Sequence, residues 1–373
     1  MELVQVKEEQ GKKSSCVDGA SWKYQGDNGE WTPVSDKAHQ ELTVKHREGR
    51  KTCQLVTDGR IYDIDFTKMV QVNRQTQKTR KIRCFFNLPP HWGISDDDAL
   101  KSQANGHDWM GPTNHIDAVT DKCLLGKLNN LLNRSLHRHD GQRCTCPHGD
   151  SRFQLLEAYQ VRNLPLWRAQ QWYAQNIRDK HKRYGSNPKA IEPSVGQELR
   201  RFAAEIEVDL DGNELLLFHG TTSFDVAKRI ANMGFDHLCG DGGFYGYGTY
   251  FAAQTCKSAQ YAHARSRHEK ASRHKPGTII VARVAVGDPF YTPRTCLTSR
   301  GPPLHRLHTR SSVEEVRLDS IIAKPGIPND PTGQSDSVQA HMEFVTFAPE
   351  QAYPEYILSF VEVSGRETYH ENP

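Results

Sequence analysis

The chain has 373 residues, of which 36% are hydrophobic and 25% charged, and a formal net charge of +3. That length allows two or three domains, the mix is that of ordinary globular proteins, and the charge is too small to argue for a nucleic-acid partner. No run approaches the ~20 apolar residues of a membrane span, and the charged start MELVQVKEEQGKK lacks the apolar core of a secretory signal. Nine cysteines, an odd number mostly scattered singly, suit reduced thiols in the cytoplasm or nucleus better than a disulfide framework.

In chain order, residues 20–86 alternate short β-like stretches with turn signals: GDNGEW, TDGRIYDIDF, then MVQVNRQTQKTRKIRCFF. Residues 37–49 read as a helix ending at Gly49. Together they predict a compact α+β module, with the basic run Lys78–Arg83 on a solvated face. Residues 88–150 are poorly patterned apart from an amphipathic stretch at 123–136. Residues 153–185 read as helix, interrupted at Asn163-Leu164-Pro165, where Pro165 fits the first turn of a second helix. Residues 186–194 read as a loop. Buried strands are predicted at 213–218, 278–286, 343–347 and 356–363, and a short helix at 223–235 with Ser223 as its cap. Strands do not alternate regularly with helices, so a doubly wound parallel sheet fits poorly and the fold class is α+β.

The strand LLLF runs into His219-Gly220-Thr221, and FYGYGTYFAAQTCKSAQYAH follows at 244–263. Gly242, Gly243, Gly246 and Gly248 form a loop whose backbone can approach a ligand closely. They do not spell G-x-G-x-x-G after a strand, which disfavours a Rossmann dinucleotide site. Tyr250, Ser258 and Tyr261 come next, and Glu343 heads an apolar strand near the C-terminus. Taken singly, these are core aromatics, a cap, a turn histidine and a sheet-edge charge. Their joint order and context point to one site.

HGT, YGYGTYFA with KSAQY, and MEFVTF-x3-QAYPEYIL resemble the catalytic domain of the poly(ADP-ribose) polymerase family. These are diphtheria-toxin-like ADP-ribosyltransferases with a His-Tyr-Glu triad. The resemblance covers about 153–364. It implies a mainly antiparallel sheet with preceding helices, and NAD+ as substrate without a metal. It implies that His219 bonds the adenosine ribose and that Gly220, with Thr221 beside it, holds the nicotinamide carboxamide through its backbone. Ser258 adds a further bond, Tyr261 stacks on the nicotinamide ring and Tyr250 closes its other side. Glu343 bonds the nicotinamide ribose and polarises the nucleophile; the catalytic set is His219, Tyr250 and Glu343. Nicotinamide leaves as a neutral base from a cation, so no general acid is needed. Positioning and a negative charge near an oxocarbenium-like ribose carry the catalysis. A Glu at this position accompanies chain elongation in the family, so protein poly-ADP-ribosylation is expected, with acceptors that include the protein itself. The alternatives are single transfer, NAD+ hydrolysis and a catalytically weak NAD+ or ADP-ribose-binding scaffold. The polar segment 323–342 is expected to border the acceptor pocket.

SWKYQGDNGEWTPVSDKAHQELTVKHREG with IYDIDFTKMVQVNRQTQKTRKIR resembles a WWE domain. Some members bind the iso-ADP-ribose unit of poly(ADP-ribose), and the matching positions here are Tyr24, Trp31, Tyr62, Gln71 and Arg80. Asp27 stands where binding members carry a basic residue, and an acidic group there repels a diphosphate. A WWE fold used for protein contacts is the alternative. The resemblances divide the chain into a WWE domain at 15–88, a linker at 89–150 and a catalytic domain at 151–366. His137, His139, Cys144, Cys146 and His148 are zinc ligands by type. Their spacing is not that of a finger, and no metal site is expected. No membrane or specific nucleic-acid partner is expected either.

Overall fold

The computed structural model describes residues 21–85, 88–96, 115–135, 152–183, 191–192, 196–236, 243–262, 275–292, 318–326 and 341–363. The chain forms two compact units: Met1–Leu88 with Gly93–Trp109, and Pro89–Trp92 with Met110–Pro373.

In the first unit, strands β1 (Ser21–Gln25), β2 (Trp31–Pro33), β3 (Thr52–Thr57), β4 (Arg60–Asp65), β5 (Val70–Asn73) and β6 (Thr79–Phe85) make an antiparallel sheet in the order β2-β1-β6-β5-β4-β3. Helix α1 (Asp36–Arg47) begins where the Ser35 hydroxyl accepts from the Ala38 N–H, and Gly49 follows its end at φ +69°. Trp22 is buried against His46 and Phe66, with ring centroids 5.7 Å away in both cases. From Thr79 onward the basic run lies in strand β6. Its alternation buries Ile82 and Cys84 and turns Lys81 and Arg83 to the other face.

The second unit is built on a nine-stranded sheet in the order β12-β13-β14-β10-β9-β11-β15-β8-β7. Its strands are β7 (His115–Ala118), β8 (Arg152–Arg162), β9 (Glu214–Thr221), β10 (Thr249–Ala252), β11 (Gly277–Ala285), β12 (Pro289–Thr292), β13 (Ser320–Ala323), β14 (Glu343–Thr346) and β15 (Ala352–Val363). All neighbours are antiparallel except β12 and β13. Helices α2 (Lys122–Arg134), α3 (Leu164–Arg183), α4 (Gln197–Glu205), α5 (Phe224–Met233) and α6 (Thr255–Ala259) pack against it. Every residue of β11 is buried, as expected for a strand covered on both faces. Ser223 caps α5 as predicted, accepting from the Val226 N–H at 3.2 Å.

The structure differs from the sequence reading in three places. Residues 152–162 are strand, not helix: Leu, Glu, Ala and Gln favour helix locally, but β8 is paired along most of its length with β15 and with β7 beyond. Helix α3 begins at Leu164, where the Asn163 side chain accepts from the Leu166 N–H at 3.2 Å. The supposed linker contributes β7 and α2 to the second unit. Helix α4 and strands β12 and β13 had no clear sequence signal.

Pro89–Trp92 also belongs to the second unit. Trp92 is buried, with the rings of Trp167 and Tyr353 at 5.8 and 6.1 Å. Gln160 and Arg162 donate to the carbonyls of His91 and Trp92 at 3.1 and 3.2 Å. The His91 ring meets the buried Glu355 carboxylate at 3.0 Å, and Arg283 holds its other oxygen at 2.6 Å. Burial works against that carboxylate, but Arg283 and His91 outweigh it and hold its pKa below the ordinary value.

Because Trp92 fills a core site, Trp92→Ala should destabilise the second unit by about 3–5 kcal/mol. Differential scanning calorimetry on the full chain checks this: the second unit's transition should fall by roughly 10 °C. An unchanged transition would show that the 89–92 segment is not part of that core.

Candidate active site

Strand β9 is buried from Glu214 to Phe218 and emerges at His219 and Gly220. On one side it pairs continuously with β11, matching Ile280 to His219 and Ile279 to Gly220. On the other side its ladder with β10 has the single rung Ala252↔Phe218, so the sheet parts beside His219 and Gly220. Ala252 is also opposite Glu343. Phe218, Ala252 and Glu343 therefore lie on one line across three strands, a span of about 10 Å. Along that line β9 supplies the histidine and glycine, and β14 the carboxylate.

Gly220 is required by contact. A Cβ there would lie 1.9 Å from the Ser258 carbonyl oxygen and 3.1 Å from the Tyr261 Cβ. Helix α6 and the turn after it thus run directly over the β9 backbone, at a distance only glycine allows. The Ser258 hydroxyl donates to the Phe218 carbonyl at 3.1 Å, and Tyr261 is 40% exposed.

His219 Nδ1 lies 2.9 Å from the Tyr250 carbonyl oxygen, with the rings of Phe235 and Phe251 at 5.3 and 5.6 Å. A carbonyl only accepts, so Nδ1 carries the proton. Burial lowers the imidazole pKa despite this bond, and the neutral ring presents Nε2 as an acceptor for a hydroxyl. Thr221 is buried, and its hydroxyl has no partner among the described residues.

The Tyr250 hydroxyl accepts from the Tyr245 N–H at 2.9 Å and donates to the Gly246 carbonyl at 2.8 Å. It clasps a tight turn in which Gly243 and Gly246 exchange backbone hydrogen bonds of 3.2 and 3.1 Å. A Cβ on Gly243 would meet the Tyr250 ring at 2.5 Å, and Gly246 has φ +97°. Burial raises the Tyr250 phenol far above its ordinary pKa, so it stays neutral. Its polar end is committed to the glycine loop, which leaves its ring for contact with a ligand. Gly242 lies outside the described residues.

Glu343 is the first residue of β14 and 5% exposed, and its carboxylate lies 2.8 Å from Lys257 Nζ. Lys257 is also 5.4 Å from the Tyr261 ring centroid. Burial works against its ammonium, but Glu343 and Tyr261 prevail and raise its pKa, so Lys257 keeps its charge until pH rises past the ordinary lysine range. Lys257 escaped the sequence reading. Its signal was its position just before Ser258 in KSAQY.

The cradle over Gly220, the unpartnered Thr221 hydroxyl and the acceptor nitrogen of His219 fit a polar, planar amide and a ribose, as NAD+ requires. His219, Gly220, Thr221, Tyr250, Ser258, Tyr261 and Glu343 all gather where the sheet parts.

In the first unit, Arg80 lies 5.4 Å from the Tyr24 ring centroid, and Gln71 is opposite Arg80 in the sheet. Ile64 is opposite Gln71, so Tyr62, two residues away on β4, shares that face. Trp31 does not join them. It is opposite Gln25, hence on the reverse face from Tyr24, and packs on Phe85 at 5.4 Å. Asp27 binds Lys78 at 2.6 Å and Arg80 at 3.4 Å, and Lys78 holds its carboxyl below the usual pKa. His137, His139, Cys144, Cys146 and His148 lie outside the described residues, as do residues 327–340 of the segment before Glu343. Among the described residues, no group of three or more His, Cys, Asp or Glu could hold a metal ion.

Comparison with known proteins agrees with this geometry. Residues 169–362 match the family model of the poly(ADP-ribose) polymerase catalytic domain, and residues 20–84 match that of the WWE domain. The chain is 26% identical to the human (Homo sapiens) protein mono-ADP-ribosyltransferase PARP12 over 351 residues, which is 89% of this chain and 38% of that protein. It is 35% identical to the mouse (Mus musculus) E3 ubiquitin-protein ligase DTX4 over 65 residues, 17% of this chain and 11% of that protein. The chain thus spans well under half the length of these curated relatives. With a catalytic-domain match over more than half its length and the His219, Tyr250 and Glu343 set on adjoining strands, the chain belongs to the poly(ADP-ribose) polymerase family of NAD+-dependent ADP-ribosyltransferases and carries a WWE domain at its N-terminal side.

Proposed function

We propose that the chain transfers ADP-ribose from NAD+ to protein acceptors, itself included, and releases nicotinamide. The observation that carries this is the Phe218–Ala252–Glu343 line, which sets an amide cradle and a lysine-paired carboxylate across one gap in the sheet. Gly220 holds the carboxamide through its backbone, and Tyr261 covers the nicotinamide ring. His219 Nε2 accepts from the adenosine ribose. Glu343 accepts a hydrogen bond from the nicotinamide ribose and stabilises the positive charge that grows as nicotinamide leaves. Lys257 holds the carboxylate in place.

Glu343 also supports chain elongation. A growing polymer attacks with a ribose hydroxyl, a poor nucleophile that gains from a carboxylate accepting its proton. A protein carboxylate acceptor is ionised already and gains less. Single transfer is the second reading, favoured by the relative that is named a mono-ADP-ribosyltransferase.

The WWE module has a narrower role. The two cations that a diphosphate would use, Lys78 and Arg80, already hold Asp27. Trp31 faces away from Tyr24, so the aromatic half of a nucleotide site is incomplete. We infer a weak reader of ADP-ribose, better suited to protein contacts.

Incubation of the full chain with excess labelled NAD+ tests the transfer reading. A ladder that lengthens with time and collapses under a poly(ADP-ribose)-degrading glycohydrolase is expected. One fixed mass increment per site would establish single transfer instead, and NAD+ binding without label on protein would support a silent scaffold. His219→Ala should raise the KM for NAD+ more than it lowers kcat. Glu343→Gln should lower kcat about 100-fold with little change in NAD+ affinity, because its charge acts as the transition state forms. Equal losses of affinity in both variants would refute that division. Asp27→Asn should strengthen ADP-ribose binding to the full chain about tenfold in calorimetry; no change would mean that Asp27 does not guard the site.

A further inference from the structure

The carboxylate that the proposed transfer depends on sits at the weakest point of its strand. Glu343 is the terminal rung of β14 on both sides, opposite Ala252 and opposite Ala323. Ladder ends fray, because a terminal residue is held from one direction only. A displacement of about 1 Å in a catalytic group can lower turnover about 100-fold, so the approach to Glu343 has to be pinned.

Helix α6 supplies the pin. Its consecutive residues Cys256, Lys257 and Ser258 reach His341, Glu343 and the Phe218 carbonyl, with contacts of 3.3, 2.8 and 3.1 Å. Two of these act on the segment carrying the carboxylate, and the third ties the helix to the strand carrying His219 and Gly220. Cys256 and His341 are buried, at 1% and 3% exposure. Their contact joins the thiol to imidazole Nε2 just upstream of the last rung, where the ladder has ended. Lys257 holds the side chain of Glu343, and Cys256 holds the side chain of His341, two residues upstream of it.

We propose that Cys256 and His341 form a positioning pair for catalysis: their contact fixes where the Glu343 carboxylate stands relative to the cradle on β9. Neither touches substrate. The pair acts through Glu343, and the proposal rests on the transferase reading above. A thiol is a weak donor and a weak acceptor. Serine makes a shorter, stronger bond to the same nitrogen and should replace it, whereas alanine should not.

The test measures transfer kinetics on the full chain, with active sites counted by titration with a nicotinamide-site inhibitor of the benzamide class. Cys256→Ala should lower kcat per active site about tenfold, with the KM for NAD+ within about twofold of wild type. Cys256→Ser should recover at least half of the lost rate. His341→Ala should match Cys256→Ala, and the double variant should be no slower than either single one, since all three break the same contact. A merely structural pair would lower the melting temperature and the count of active sites and leave kcat per active site unchanged, which would overturn the proposal. So would a failure of serine to rescue, or losses that multiply in the double variant. A wild-type chain that binds NAD+ without turning it over would overturn the transferase reading and this proposal with it. An active wild type with unaffected variants would overturn this proposal alone.

Discussion

The contact between Gly220 and the Ser258 carbonyl governs the second unit's chemistry. Any side chain at residue 220 would overlap that oxygen, so the close crossing of α6 over β9 exists only because a glycine is there. Once the helix lies that near, Ser258 bonds the β9 backbone, Lys257 reaches Glu343 and Tyr261 hangs over the strand end. The gap between β9 and β10 then becomes a slot with an amide floor rather than a break in a sheet. A second glycine contact works the same way on the far side, where Gly248 lets the start of β10 lie against Val345 and Thr346 of β14.

Two buried carboxylates in this unit show how environment assigns roles. Glu355 is shared between Arg283 and His91, and Arg283 also bonds the Ile206 and Glu207 carbonyls and lies over the Trp167 ring. Its charge is consumed in holding β15, β11 and the 89–92 segment together. Buried pairs of this kind contribute modest net stability but are costly to break from one side. Glu343 is held instead by a lysine that itself lies at the mouth of the slot, beside the exposed Tyr261. Unlike Glu355, it stands at a strand end, on the line where β9 and β10 part.

The WWE module shows the same logic in reverse. Arg80, Tyr24, Gln71 and Tyr62 share a face, yet Asp27 reaches out from the β1–β2 turn and occupies the cations. Each exposed ion pair is weak in itself. Its effect is to cancel the positive field that would draw a phosphate in.

By itself the sequence determined the continuous apolar strands β9, β11 and β15, because strands buried on both faces need uninterrupted apolar runs, and the capped helices α1 and α5, because caps are local. The order of HGT, YGYGTYFA, KSAQY and MEFVTF was likewise enough to name the gathered residues. Only the tertiary structure decided that residues 152–162 are a strand, since their helical composition is overruled by partners about two hundred positions away. It decided that Trp31 leaves the Tyr24 face, because hairpin register, not residue type, sets the side on which a side chain emerges. It also decided the roles of Trp92, Lys257, Cys256 and His341. Those roles come from contacts between segments far apart in the chain, and no local pattern of charge or hydrophobicity encodes such contacts.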